Sequence, residues 1–225
     1  MLLTKDEVQK MVSKNNKPIN MKDFDWDKET RTFSSQVKGL IFSFENIKNI
    51  TFKTTTDCTF KTGDNCDFIT EDNCIFETGK GCTFDTGHYC IFKTGPNCRF
   101  ETKSNCTFIT GSNCKFQTEH TCTFRTEDFC EFSTSSECIF NTGDHCKFDT
   151  LAFCTFETGF NCNFRTQSSC IFNTGSECAF KTEYDCIFIT SGKCTFETEH
   201  SCMFKDYRSK VFKIDKNCDF KIEIK

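Results

Sequence analysis

The sequence predicts an all-β fold: a two-sided parallel β-solenoid (a flattened β-helix) of sixteen residues per coil, with a small N-terminal α/β cap. Three observations carry that expectation. From Cys58 to Cys218 the unit Cys-x-Phe-x-Thr-(Gly/Glu)-x-x recurs every eight residues, twenty-one times, without insertion. Within each unit Cys, Phe and Thr alternate with variable, mostly polar residues, the period-two pattern of a strand with one buried face. The variable positions carry a second period of sixteen. A short strict period means one unit stacked along an axis.

Each octad divides into five residues of strand and three of a turn rich in Gly, Asn, Ser and Asp, types that accept the positive φ turns require. Phe and Thr favour strands, and eight residues is no multiple of the 3.6 a helix needs. Phe fills its slot in all twenty-one octads, Cys in twenty (Lys210 is the exception), and Thr from Thr62 to Thr198 before giving way to Asp206, Ile214 and Ile222.

The longer period appears when the octads are sorted alternately. Octads beginning at Cys58, Cys74, Cys90 and onward (A) place Gly after Thr in seven of nine cases, from Gly63 to Gly175. Those beginning at Cys66, Cys82, Cys98 and onward (B) do so once, at Gly87, and otherwise carry residues such as Glu71, Glu119 and Glu183. After Cys, the A octads read Thr59, Ile75, Ile91, Thr107, Thr123, Ile139, Thr155, Ile171, Ile187, whereas the B octads begin Asp67, Thr83, Arg99, Lys115, Glu131. Three octads per coil would scramble these columns; two align them.

That coil sets Phe against Phe between two sheets about 10 Å apart, with Cys against Thr where the turns pinch. Successive coils are expected to pair in parallel at a ~4.8 Å rise, giving a rod of roughly 50 Å. The ends are expected to differ. Residues 1–41 read as an N-terminal cap: a capping box at Thr4-Lys5-Asp6-Glu7 opens a short helix at 4–14, and Trp26 and Phe33 flank a hairpin. The repeat domain spans 42–205. Residues 206–225 form a capping coil in which Cys218-x-Phe220-x-Ile222 keeps the phase.

Composition bounds the function. The chain has 225 residues and a net charge of −4. Residues 58–205 hold twenty acidic and twelve basic side chains, so the repeat is acidic while both ends are basic. That is the wrong sign for a nucleic-acid binder and too small an excess for a DNA mimic. No apolar run approaches the ~18 residues of a membrane span, and the N-terminus lacks a signal-peptide pattern. The expected location is therefore intracellular, with the cysteines reduced. Eight-residue spacing lacks the close Cys and His pairs of a metal site, so the cysteines read as small buried packing residues, with no metal and no cofactor. No nucleophile–base pair, phosphate loop or carboxylate pair stands out, and the expectation is a non-enzyme.

The outward A face supplies the candidate site. Its first rank is the Thr/Ile column above; its second reads Lys61, Glu77, Lys93, Ile109, Arg125, Asn141, Glu157, Asn173, Ile189. A contiguous apolar strip marks an interaction surface, here Thr59, Ile75, Ile91, Thr107, Ile109, Thr123, Ile139, Thr155, Ile171, Ile187 and Ile189. The expected function is a rigid structural and interaction module that pairs with a second copy, or docks a protein partner, through this face. The alternative is a ligand-binding solenoid for ice, soft metal or carbohydrate. Charges in the second rank argue against an ice-like plane, and neither nucleic acid nor membrane is an expected partner.

The run Asn105–Gly111 (Asn-Cys-Thr-Phe-Ile-Thr-Gly), with close copies at Gly81–Gly87 and Phe153–Gly159, resembles the octapeptide-repeat proteins of large DNA viruses, phages and environmental genomes. The resemblance covers residues 42–222; it implies a repeat solenoid and little about activity. The Cys-x-Phe rhythm is also similar to that of pentapeptide-repeat solenoids, but a period of eight departs from theirs, and their DNA mimicry is not carried over.

Overall fold

A computed structural model of the chain describes residues 3–191, 194–198, 202–206, 211–214 and 221–223. Lys210, Cys218, Phe220 and His200 lie outside them. The chain forms two compact units, Met1–Gly111 and Ser112–Lys225, and each is a two-sided parallel β-solenoid.

In the first unit, A octads supply one sheet, through Thr59–Thr62, Ile75–Thr78, Ile91–Thr94 and Thr107–Thr110. B octads supply the other, through Asp67–Ile69, Thr83–Thr86 and Arg99–Thr102. In the second unit the A sheet runs Thr123–Arg125, Ile139–Thr142, Thr155–Thr158, Ile171–Thr174 and Ile187–Thr190. Its B sheet runs from Lys115–Gln117 through Glu131–Thr134 and Lys147–Thr150 to Thr195–Thr198. Within these repeats each strand pairs in parallel with the one sixteen residues on, Phe60 with Phe76 and Phe140 with Phe156, so the coil is two octads.

Phenylalanine fills the space between the sheets. Phe60 stacks on Phe76 with ring centroids 5.0 Å apart and meets Phe68 of the other sheet edge-on at 5.2 Å. In the second unit Phe140 stacks on Phe124 and Phe156 at 4.8 Å, with Phe132 and Phe148 edge-on at 5.2 Å. Both geometries are favourable for aromatic quadrupoles and add to the gain from burial. Cysteine and threonine occupy the narrow edges, where Cys66 meets Thr62 and Cys74 meets Thr70 across the turns.

The turns correct the expected role of glycine. Positive φ belongs to the residue just before each Cys: Asn65 (55°), Asn73 (59°), Asn97 (62°), Asn105 (62°), but also Phe129 (59°), Glu137 (62°) and Phe153 (58°). Asn tolerates that region through local hydrogen bonding; the bulkier residues hold it at a cost of about 1–2 kcal/mol each. The glycines after Thr have ordinary φ. They are there because coils stack closely: a Cβ on Gly63 would lie 2.7 Å from the Ile47 carbonyl oxygen, and one on Gly175 2.8 Å from the Gly159 carbonyl carbon.

Middle turn residues tie coil to coil. Asp72 Oδ1 accepts from the backbone N–H of His88 at 2.8 Å, and His88 Nδ1 in turn accepts from that of Ser104 at 3.2 Å. In the second unit Asp128 Oδ1 accepts from Asp144 N–H and Asp144 Oδ1 from Phe160 N–H, both at 2.9 Å. Each bond satisfies a turn amide that neither sheet reaches.

The N-terminal elements belong to the first unit. Helix α1 (Lys5–Lys10) carries the capping box, with Thr4 and Glu7 bonded reciprocally. It is shorter than the expected 4–14 because Val12–Lys14 is already a strand (β1), paired antiparallel with β2 (Lys17–Pro18) and with Ile41–Phe44. Burial of Val8 and Val12 closes this end of the core. The Trp26–Phe33 hairpin is present as β3 (Asp25–Asp27) and β4 (Thr32–Ser34). Coils here are longer than the repeat, since Phe42 pairs with Phe60 and Phe33 with Phe52.

At the far end Met203–Asp206 pairs with Lys221–Glu223, placing Phe204 opposite Ile222. Unbroken phase would have placed Phe220 there, so the register slips by two residues. A slip of two residues leaves a period-two pattern in phase, so the alternation of the sequence alone could not forbid it.

Candidate functional site

The A face is built by strand register. In the first unit Thr59, Ile75, Ile91 and Thr107 stand in one rank, and Lys61, Glu77, Lys93 and Ile109 in the other. Ile75, Ile91 and Ile109 are 45–47% exposed, while Thr59 and Thr107 are half-buried. Ile41 continues the first rank, opposite Thr59 and also exposed. Sequence reasoning missed it, although Ile41-Phe42 repeats the Ile-Phe pair of Ile75-Phe76, because eighteen residues rather than sixteen separate it from Thr59.

In the second unit Thr123, Ile139, Thr155, Ile171 and Ile187 form the first rank, and Arg125, Asn141, Glu157, Asn173 and Ile189 the second. Ile139 is 52% and Ile171 42% exposed. Thr123 and Thr155 are exposed, whereas Ile187 and Ile189 are half-buried. Each unit thus brings its share of the expected residues onto one face. The B faces are more polar but not wholly so, since Ile69 is exposed on that of the first unit.

Charges are laddered between neighbouring coils. On the A face Glu77 lies 3.3 Å from Lys93 and 3.7 Å from Lys61, which together hold its carboxyl below the usual range, Lys93 contributing most. On the B face of the second unit Glu131 lies between Lys115 at 2.9 Å and Lys147 at 3.4 Å. These pairs are solvated and screened, so they fix side-chain positions more than they stabilise the fold. A cleft of about 320 Å³ opens beside this rank, lined by Glu45, Lys61, Thr62, Glu77, Thr78 and Gly79.

The cysteines sit on the inner side of the same strands. All nineteen described are buried and none is in a disulfide. Cys74 Sγ donates to the carbonyls of Asp72 and Thr55, both at 3.5 Å, and Cys186 Sγ to those of Tyr184 at 3.5 Å and Gln167 at 3.6 Å. Contacts with Cys58 and Cys90 in its column, together with burial, push the Cys74 thiol up. Cys90, which would accept from Cys106 and Cys74, shifts the opposite way. Among the described residues no group of three or more His, Cys, Asp or Glu could hold a metal ion.

Because reactivity requires an accessible thiolate, a water-soluble thiol reagent is expected to label the nineteen described cysteines of the native protein slowly. In denaturant it should label all twenty cysteines of the sequence. Native thiols that react as fast as a small-molecule thiol would contradict the buried columns.

The remaining polar and aromatic groups stand in the turns. His88 and His120 accept turn amides through Nδ1, at 3.2 and 3.4 Å, so they build structure. His145 stacks on Phe129 at 4.8 Å and meets Phe160 edge-on at 5.3 Å. Among the described residues no helix is long and apolar enough to cross a membrane. No family model, no curated protein and no solved structure matches the chain.

Proposed function

We propose that the chain is a non-enzymatic structural and interaction protein whose A face associates with a second copy. The observation that carries the reading is the rank of half-exposed isoleucines on that face, Ile75 and Ile91 in the first unit and Ile139 and Ile171 in the second. Exposed apolar side chains in register on a rigid sheet gain by mutual burial at about 25 cal/mol per Å² and need little ordering to do so. The charged second rank, Lys61, Glu77 and Lys93 above all, speaks against an ice-like plane. This reading keeps the protein among the octapeptide-repeat solenoids that its sequence resembles.

The test is Ile139→Lys combined with Ile171→Lys. Both side chains point outward, so the fold is expected to survive while association is lost and solubility rises. Sedimentation should show the native chain at twice its 26.0 kDa mass and the variant at that mass. An unchanged mass in the variant counts against this interface.

A further inference from the structure

The second unit carries enough detail to fix how two A faces meet. Two copies related by a twofold axis in the plane of contact have two choices. With the axis along the stacking direction and midway between the ranks, the first rank of one copy lies on the second rank of the other, setting Ile139 against Asn141 and Ile171 against Asn173. With the axis along the strands, the solenoids run antiparallel and like rank meets like rank. The second choice sets Ile139 against isoleucine, whereas the first sets both Ile139 and Ile171 against asparagine.

The charges then select the register. Among the described residues Arg125 forms no ion pair. Glu157 is held by Asn141 Nδ2 at 3.2 Å and, among the described residues, by no cation. Arg125, Asn141 and Glu157 are successive rungs of one rank, so centring the axis on Asn141 sets Arg125 opposite the Glu157 of the other copy, twice by symmetry. The same centring puts Ile139 on its own counterpart and Thr123 on Thr155. Centring on Glu157 instead would set two carboxylates face to face, and centring between Arg125 and Asn141 or between Asn141 and Glu157 leaves Arg125 facing asparagine.

We propose that two copies of this chain pair antiparallel through the A face of the second unit, about an axis over Ile139 and Asn141, locked by two reciprocal Arg125–Glu157 ion pairs. The proposal rests on the self-association reading above and adds its geometry. An isologous contact of this kind closes at two copies and does not propagate.

The experiment is a charge-reversal cycle followed by sedimentation at low salt, where such pairs are least screened. Arg125→Glu alone and Glu157→Arg alone each place like charges opposite one another and are expected to weaken association about tenfold or more. An equimolar mixture of the two variants restores both pairs in the mixed dimer, and the double variant restores them in its own dimer. Both should associate within about threefold of the native chain. If the native chain and its single-reversal variants dimerise equally, or the mixture is no tighter than either variant alone, the antiparallel register is wrong while self-association stands. If the native chain is monomeric, both fall.

Discussion

Phe140→Ala is expected to cost about 3–5 kcal/mol, the range for truncating a large core side chain without collapse of the site. The ring contacts four others: Phe124 and Phe156 in its own sheet, Phe132 and Phe148 across the core. Those neighbours are pinned by strands in fixed parallel register, so they cannot close the gap by sliding. For a chain of this size the loss corresponds to a fall in melting temperature of roughly 6–20 °C. A thermal melt that leaves the midpoint unchanged would mean that the phenylalanine ladder does not hold the coils together.

Gly175→Ala is the second large effect, expected at about 1–3 kcal/mol although it adds only one methyl group. The added Cβ would lie 2.8 Å from the carbonyl carbon of Gly159, 2.9 Å from its oxygen and 3.0 Å from the nitrogen of Phe160. All three are backbone atoms of the preceding turn, and Gly175 N–H is bonded to that same Gly159 oxygen at 3.0 Å. The turn must therefore lift away or the strand must tilt. Gln167→Ala at the equivalent slot of the opposite edge is the control, because a side chain already fits there; its melting temperature should stay near that of the native chain. Equal effects at the two positions would show that the glycine column reflects something other than close stacking.

The repeat made most of the fold readable. Alternation of Cys, Phe and Thr fixed the inner face, and the restriction of Gly63, Gly79 and Gly95 to alternate octads revealed the sixteen-residue coil. The capping box at Thr4 and the hairpin of Trp26 and Phe33 were legible because each is a local pattern with its own physical cause. Other features depend on neighbours distant in sequence. Why the A turns need glycine became clear only with the preceding turn in place, since the constraint is a Cβ contact sixteen residues away and not a backbone angle. The left-handed slot before each Cys was obscured because Phe129, Glu137 and Phe153 occupy it alongside the asparagines. The two-residue slip between Phe204 and Ile222 leaves no mark on a period-two pattern.

The site was legible in the same measure. Strand parity placed Ile75, Ile91, Ile139 and Ile171 outward, and the structure exposes them. Parity could not tell that Ile187 and Ile189 are half-buried, nor that Ile41 extends the rank across a longer coil. The invariant residues build the solenoid, and what distinguishes one face from the other lies in the residues that vary, above all the isoleucines and the pattern of Arg125, Asn141 and Glu157.

The mass of the native chain in solution, measured beside Ile139→Lys/Ile171→Lys by sedimentation, tests this account most directly. It predicts twice 26.0 kDa for the native chain and 26.0 kDa for a variant of unchanged circular dichroism. A native chain that sediments as a monomer, or a folded variant that still sediments as a dimer, would contradict it.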